Sequence, residues 1–158
     1  MISKKDEVTP SAGVRINHKG NFNLDVLYKK SKTFFDSRKY DFTEKEHTEK
    51  NKSYGNELKV IWLAEREVDD YVKFNIEATF EVWDIIKKNN NYTGDLKINV
   101  KAWLDLDYKN NFHKFPFLLF IYNNFIIKKK IEKIYEDKIY SELLEFTDLI
   151  KDILKMLK

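Results

Sequence analysis

Between Tyr71 and Ile86, the residues Val72, Phe74, Ile76, Ala78, Phe80 and Val82 are apolar, and Lys73, Asn75, Glu77, Thr79 and Glu81 between them are polar. A period of two sustained over this length predicts a long β-strand with one buried and one wet face. Upstream, Leu58, Val60, Trp62 and Ala64 alternate with Lys59, Ile61, Leu63 and Glu65. Downstream, Leu96, Ile98, Val100, Ala102, Leu104 and Leu106 keep the same even phase. Short returns at Asp69-Asp70-Tyr71 and across Asn89–Gly94 make the three strands an antiparallel meander. Superposing the core faces places Val68 opposite Val72, which sets Trp62 across from Ala78 and Val60 across from Phe80. Placing Ile86 opposite Leu96 sets Val82 across from Val100 and Ala78 across from Leu104. The outer face then carries the rows Lys59–Glu81–Lys101, Leu63–Glu77–Asp105 and Glu65–Asn75–Asp107.

The flanks supply the remaining elements. Gly13–Lys19 alternates Val14, Ile16 and His18 with polar neighbours and reads as a short strand. Asn23 is a helix N-cap, Asp25 suits the positive end of the dipole, and Phe22 can staple onto Leu27. Leu24, Leu27, Tyr28, Ser31, Phe34 and Phe35 form the apolar face of that helix, which ends near Ser37. Tyr40–Thr48 is extended and increasingly polar, as suits an edge strand whose charges discourage pairing with another chain, and Glu49–Asn56 reads as a turn. After Pro116, Phe117–Tyr122 and Phe125–Ile127 predict a buried helix interrupted at Asn123-Asn124. Ile139, Leu143, Phe146, Ile150, Ile153 and Leu157, broadened by Leu144, Leu149 and Leu154, predict a long terminal helix on the sheet. The expected fold is α+β: a meander of about five strands, a helix after the first strand, and long C-terminal helices on one face. Residues 1–12 are expected to be a flexible N-terminus and 13–158 a single domain.

Composition narrows the classes. With 158 residues, 42% hydrophobic, 12 Phe, 9 Tyr and 3 Trp, the chain can enclose a core. A net charge of +3, from 29 basic and 26 acidic residues, lacks the footprint of a dedicated DNA binder. The absence of cysteine excludes disulfides, a thiol nucleophile and Cys-ligated zinc. No signal-peptide stretch and no window of ~20 apolar residues is present, so a cytoplasmic location without a transmembrane segment is expected. The excess of Lys, Ile, Asn, Phe and Tyr fits translation of an AT-rich genome.

Candidate chemistry is sparse. In the proposed register Glu65, Glu77, Asp105 and Asp107 cluster on the outer face, where close carboxylates bind a hard divalent cation or share a proton. The competing reading is a solvated mixed-charge face, or a register displaced by two. Asp69-Asp70 reads as a turn whose Asp bonds its own backbone. His18, His47 and His113 lie on separate segments without metal-type spacing, and four glycines leave no phosphate-cradling loop. Trp62, Phe74, Ala78, Phe80, Phe117, Phe120 and Phe125 point by phase between sheet and helices, as the lining of an apolar ligand cavity or as a filled core. Trp83 and Trp103 fall on the outer face as a partner surface, Trp83 alternatively at a β-bulge. Phe115–Ile127 followed by Lys128-Lys129-Lys130, with Tyr28-Lys29-Lys30 elsewhere, fits an interfacial membrane or RNA-binding tract, or a core helix ending in lysines.

The order strand, helix, four strands, helices resembles the helix-grip (START-like) fold, although that fold implies more than about five strands. The wording WLAEREVDDYVKFNIEATFEVWDI, mainly within residues 57–108, is similar to that of small uncharacterised archaeal proteins with a VDDYVKF turn and strand; it implies no activity. The expectation is a binding or interaction module without a cofactor, and an enzyme less than a binder. It would hold a small apolar molecule inside, or use the exposed sheet or C-terminal helix for a protein partner or homodimer. The alternatives are an acid–base or metal-assisted enzyme on the acidic cluster, and membrane or RNA association through lysines.

Overall fold

A computed structural model describes residues 4–53, 55–89, 91–109, 117 and 134–156. The order is β1 (Lys4–Glu7), β2 (Val14–Asn23), α1 (Leu24–Ser37), β3 (Asp41–Lys52), β4 (Gly55–Glu67), β5 (Val72–Lys88), β6 (Asn91–Leu106) and α2 (Glu136–Met156). Among the described residues all strand pairs are antiparallel, in a six-stranded sheet ordered β1-β6-β5-β4-β3 with β2 also on β6. The fold is the α+β class that the periodicities predict.

The two strands on the outer edge of β6 lie end to end. β2 pairs with Asn91–Val100 and β1 with Trp103–Leu106. Between them the N–H groups of Val8 and Thr9 donate to the Ala102 carbonyl at 3.0 and 3.3 Å, and the Thr9 hydroxyl accepts the Ala102 N–H at 3.2 Å. The segment expected to be a flexible N-terminus thus contributes a strand, because β6 is longer than β2 and leaves backbone groups to be paired. At the corner Gly13 has φ +74°, and a Cβ there would meet the Val100 carbonyl oxygen at 2.8 Å.

Helix α1 begins as its sequence specifies. The Asn23 side chain accepts the Val26 N–H at 3.1 Å, while Leu24, Leu27, Ser31 and Phe35 are buried. It ends with Lys39 at φ 63°, where the N–H groups of Tyr40 and Lys39 return to the carbonyls of Phe35 and Asp36. This reversal carries the chain from β2 at one edge of the sheet to β3 at the other. Ile139, Leu143, Phe146, Ile150 and Ile153 bury one face of α2, joining Val60, Trp62, Phe74, Ile76 and Phe80 in one core.

The β4–β5 register is the expected one, with Trp62 across from Ala78 and Val60 across from Phe80. The β5–β6 register is not. Val82 pairs with Leu96 and Ala78 with Val100, four residues from the expected alignment. Two local features cause the displacement. The strands run to a tight turn, pairing Lys88 with Asn91 around Asn89 at φ 56°, so the expected Asn89–Gly94 loop is largely strand. Asp84, at φ 56°, and Ile85 form a bulge between Trp83 and Ile86. The bulge is accommodated by glycines: a Cβ on Gly94 would lie 2.9 Å from the Trp83 carbonyl oxygen, and one on Gly55 2.8 Å from the Asp84 carboxylate. Similarly, β3 continues through the expected turn to Lys52, pairing there with Gly55.

Candidate functional site

The shifted register disperses the acidic cluster. Glu77 pairs with Lys101, and Asp105 pairs with Lys73 on one side and Lys5 on the other. Glu65 lies 3.6 Å from the Lys73 ammonium and across from Asn75. Asp107 leaves the sheet at φ 54°, is buried, and donates its backbone N–H to the Tyr71 carbonyl at 2.7 Å. The four carboxylates therefore do not converge, and among the described residues no group of three or more His, Asp or Glu side chains is placed to hold a metal ion. Asp69 serves the turn: its Oδ1 accepts the N–H groups of Tyr71 and Val72, both at 2.8 Å, and its Oδ2 accepts the Tyr135 hydroxyl. His18 is buried with Nε2 at 3.0 Å from the Asn21 carbonyl, His47 lies exposed between Glu44 and Glu49, and His113 falls outside the described residues.

Of the aromatic set, Trp62, Phe74, Ala78 and Phe80 are brought together and buried. Trp62 and Phe80 have ring centroids 4.4 Å apart, with Tyr28 and Phe42 against the other edges of the indole. At this point of the interior the rings of Tyr28, Phe42, Trp62 and Phe80 pack against one another. Phe117 is 74% exposed, opposite to expectation, because a continuous apolar run has no period from which to choose an inward side. Phe120, Phe125 and the Lys128-Lys129-Lys130 tract lie outside the described residues. Among the described residues no helix is long and apolar enough to cross a membrane.

One buried polar cluster was not anticipated. The Arg66 guanidinium donates to Glu142 Oε1 at 3.1 Å and to the Arg38 carbonyl at 2.8 Å, and lies over the rings of Tyr40 and Phe74 at 4.6 and 5.0 Å. The Tyr40 hydroxyl donates to the other carboxylate oxygen of Glu142. Burial, reinforced by that hydrogen bond, pushes the Tyr40 phenol far above its usual range. Folding thus retains a proton that the unfolded chain releases above about pH 10. This contribution is complete at neutral pH and declines in alkali, by about 1.4 kcal/mol per pH unit once the unfolded phenol ionises. Urea midpoints measured across that range are expected to fall more steeply for the wild type than for Tyr40→Phe; equal slopes would contradict this account. The sequence signal was slight, a Glu within the buried stripe of the terminal helix. The cluster ties the end of α1 and β4 to α2, so its geometry is that of a clasp.

The face of the sheet opposite α1 and α2 has a different character. Ile61 and Leu63 on β4, with Trp83 and Trp103 on β5 and β6, are half-buried there. Their charged neighbours alternate across strands, as in Lys59–Glu81–Lys97 and Lys5–Asp105–Lys73. Trp103 carries the Lys5 ammonium at 4.4 Å from its ring. Beside Trp83 lies a shallow groove of about 160 Å³ whose lining includes Glu46, Lys50, Lys59 and Glu81. No family model, curated protein or solved structure matches this chain.

Proposed function

We propose that this chain is a non-catalytic binding module that engages a protein partner through the face of its sheet opposite α1 and α2. The observation that carries the reading is a charge-compensated surface holding two tryptophans and two aliphatic side chains, on the sheet face opposite α1 and α2. Aromatic anchors among neutralised charges suit association, since large rings bury area at low entropic cost and paired charges need little further compensation. The dispersed carboxylates give an acid–base or metal-assisted reaction no comparable support. The test is native mass spectrometry of the protein purified from its own cells, beside Trp83→Ala/Trp103→Ala. A partner polypeptide retained by the wild type is expected to bind at least about tenfold more weakly to the variant, at unchanged circular dichroism. Equal retention by both proteins, or no retained polypeptide, would overturn the reading.

A second reading, an apolar small molecule between sheet and helices, draws on the element order. β2 lies beside β6, α1 crosses to the far edge, and α2 returns to the inner face, an arrangement like that of the helix-grip fold. A retained mass of small-molecule size in the same spectra, released by mild denaturation, is what this reading expects.

A further inference from the structure

β3 is an edge strand of 12 residues, and among the described residues only β4 pairs with it. Such an edge offers a row of unpaired backbone groups, and proteins usually blunt it with charges or a bulge. Here both devices are present, and their arrangement is self-complementary. The bulge at Lys45 separates Glu44, across from Trp62, from Glu46, across from Ile61. It therefore reverses the alternation midway: Asp41 and Thr43 before it, and Glu46, Thr48 and Lys50 after it, all stand on the sheet face opposite α1 and α2. Phe42 and Glu44 before it, and His47 and Glu49 after it, stand on the helix side.

A two-fold antiparallel pairing must set residues of the same face opposite one another. For a strand whose alternation reverses once, a long pairing meets this condition only with the axis at the reversal. Placing the axis between Lys45 and Glu46 sets Asp41 opposite Lys50, Thr43 opposite Thr48, Glu44 opposite His47 and Lys45 opposite Glu46 of the second copy. Each opposed pair is of opposite charge, like polar type or carboxylate with imidazole; only Phe42 opposite Glu49 gains nothing electrostatically. Sliding the strands by two residues one way sets Glu44 opposite Glu49, and Glu46 opposite His47 from the other face. Sliding them the other way sets Asp41 opposite Thr48, Phe42 opposite His47 and Thr43 opposite Glu46 on matching faces, and none of these pairs is of opposite charge. Face and charge together therefore favour a single alignment.

We propose that the chain forms a homodimer through β3, two sheets joining across the two-fold axis into one continuous sheet. The occupant of the edge is a second copy of this chain, because the complementarity is between β3 and itself. The inference is independent of the outer-face reading, although the dimer would set two such faces side by side.

The full chain, Lys45→Glu/Lys50→Glu, Asp41→Lys/Glu46→Lys and an equimolar mixture of the two variants would be compared by native mass spectrometry and sedimentation. The wild type is expected at twice the 19.1 kDa chain mass. Each variant alone opposes like charges at both altered pairs and is expected as a monomer with unchanged circular dichroism. In the mixture the two introduced carboxylates of one chain meet the two introduced ammonium groups of the other, and a heterodimer is expected. A monomeric wild type, homodimers unaffected by either double substitution, or a mixture that stays monomeric would each overturn the proposal. Because rescue requires both variants to be folded, heterodimer formation also excludes misfolding as the cause of dissociation.

Discussion

Replacing Arg66 by methionine is expected to cost about 3–5 kcal/mol of folding stability, the penalty for stranding a buried charge. The Arg66 side chain is 14% exposed and that of Glu142 10%, so water screens their interaction weakly. With Arg66 gone, the Glu142 carboxylate keeps the Tyr40 hydroxyl and loses its only cation within salt-bridge distance among the described residues. The Arg38 carbonyl, which accepts from Arg66 at 2.8 Å, loses a donor as well. The neighbouring Arg38–Glu145 pair is a useful contrast: its side chains are 32% and 51% exposed, and its removal is expected to cost less than about 1 kcal/mol. The decisive comparison is the double variant Arg66→Met/Glu142→Leu. If the cost comes from the orphaned charge, the double variant is more stable than Arg66→Met alone, because no carboxylate remains to be solvated. The measurement is the urea midpoint of all three proteins at unchanged denaturant slope. A loss in Arg66→Met comparable to that in an Arg38 variant would mean that the cluster is effectively wet and does not clasp α2 to the sheet.

The clasp also marks where sequence patterning stops. Alternation located β4, β5 and β6 because a period of two reports which face is buried. It could not locate the β5–β6 register, because a shift of four leaves every inward residue inward: Ala78 faces the core whether its neighbour is Leu104 or Val100. What selected the register was turn chemistry, the positive φ of Asn89 and the bulge at Asp84 against Gly94. The acidic site depended wholly on that choice, since moving the strand four residues brings Lys101 rather than Asp105 opposite Glu77. Polar Lys4–Glu7 carried no apolar alternation, and its place as a strand follows from unpaired groups on β6, a long-range demand that local sequence does not show. The Arg66–Glu142 pair lies 76 positions apart in the chain and was invisible for the same reason. By contrast, the α1 cap, the Trp62–Ala78 pairing and the Asp69 turn were legible, because each is decided within a few residues or by a single hairpin.

Trp62→Ala, with its converse Ala78→Leu, is expected to distinguish a filled core from a ligand cavity. Trp62 is 1% exposed, in contact with Phe80, Phe42 and Tyr28, and its indole N–H donates to Glu44 Oε1 at 3.2 Å. Truncation removes those contacts and leaves a void that strands on either side cannot close, for an expected loss of about 3–5 kcal/mol. Ala78, across the ladder from Trp62 and 2% exposed, has no free volume for three more carbons if the interior is filled by protein. Ala78→Leu is then expected to destabilise by about 1–3 kcal/mol through overpacking. In a cavity the two substitutions would behave differently: Ala78→Leu would be tolerated and would expel the ligand, while Trp62→Ala would enlarge the site at smaller cost. Thermal midpoints of both variants, read beside the small-molecule mass each retains, separate the cases. The contacts already present around Trp62 favour destabilisation by both substitutions, and this outcome would place any small-molecule site away from the Trp62–Phe80 pair.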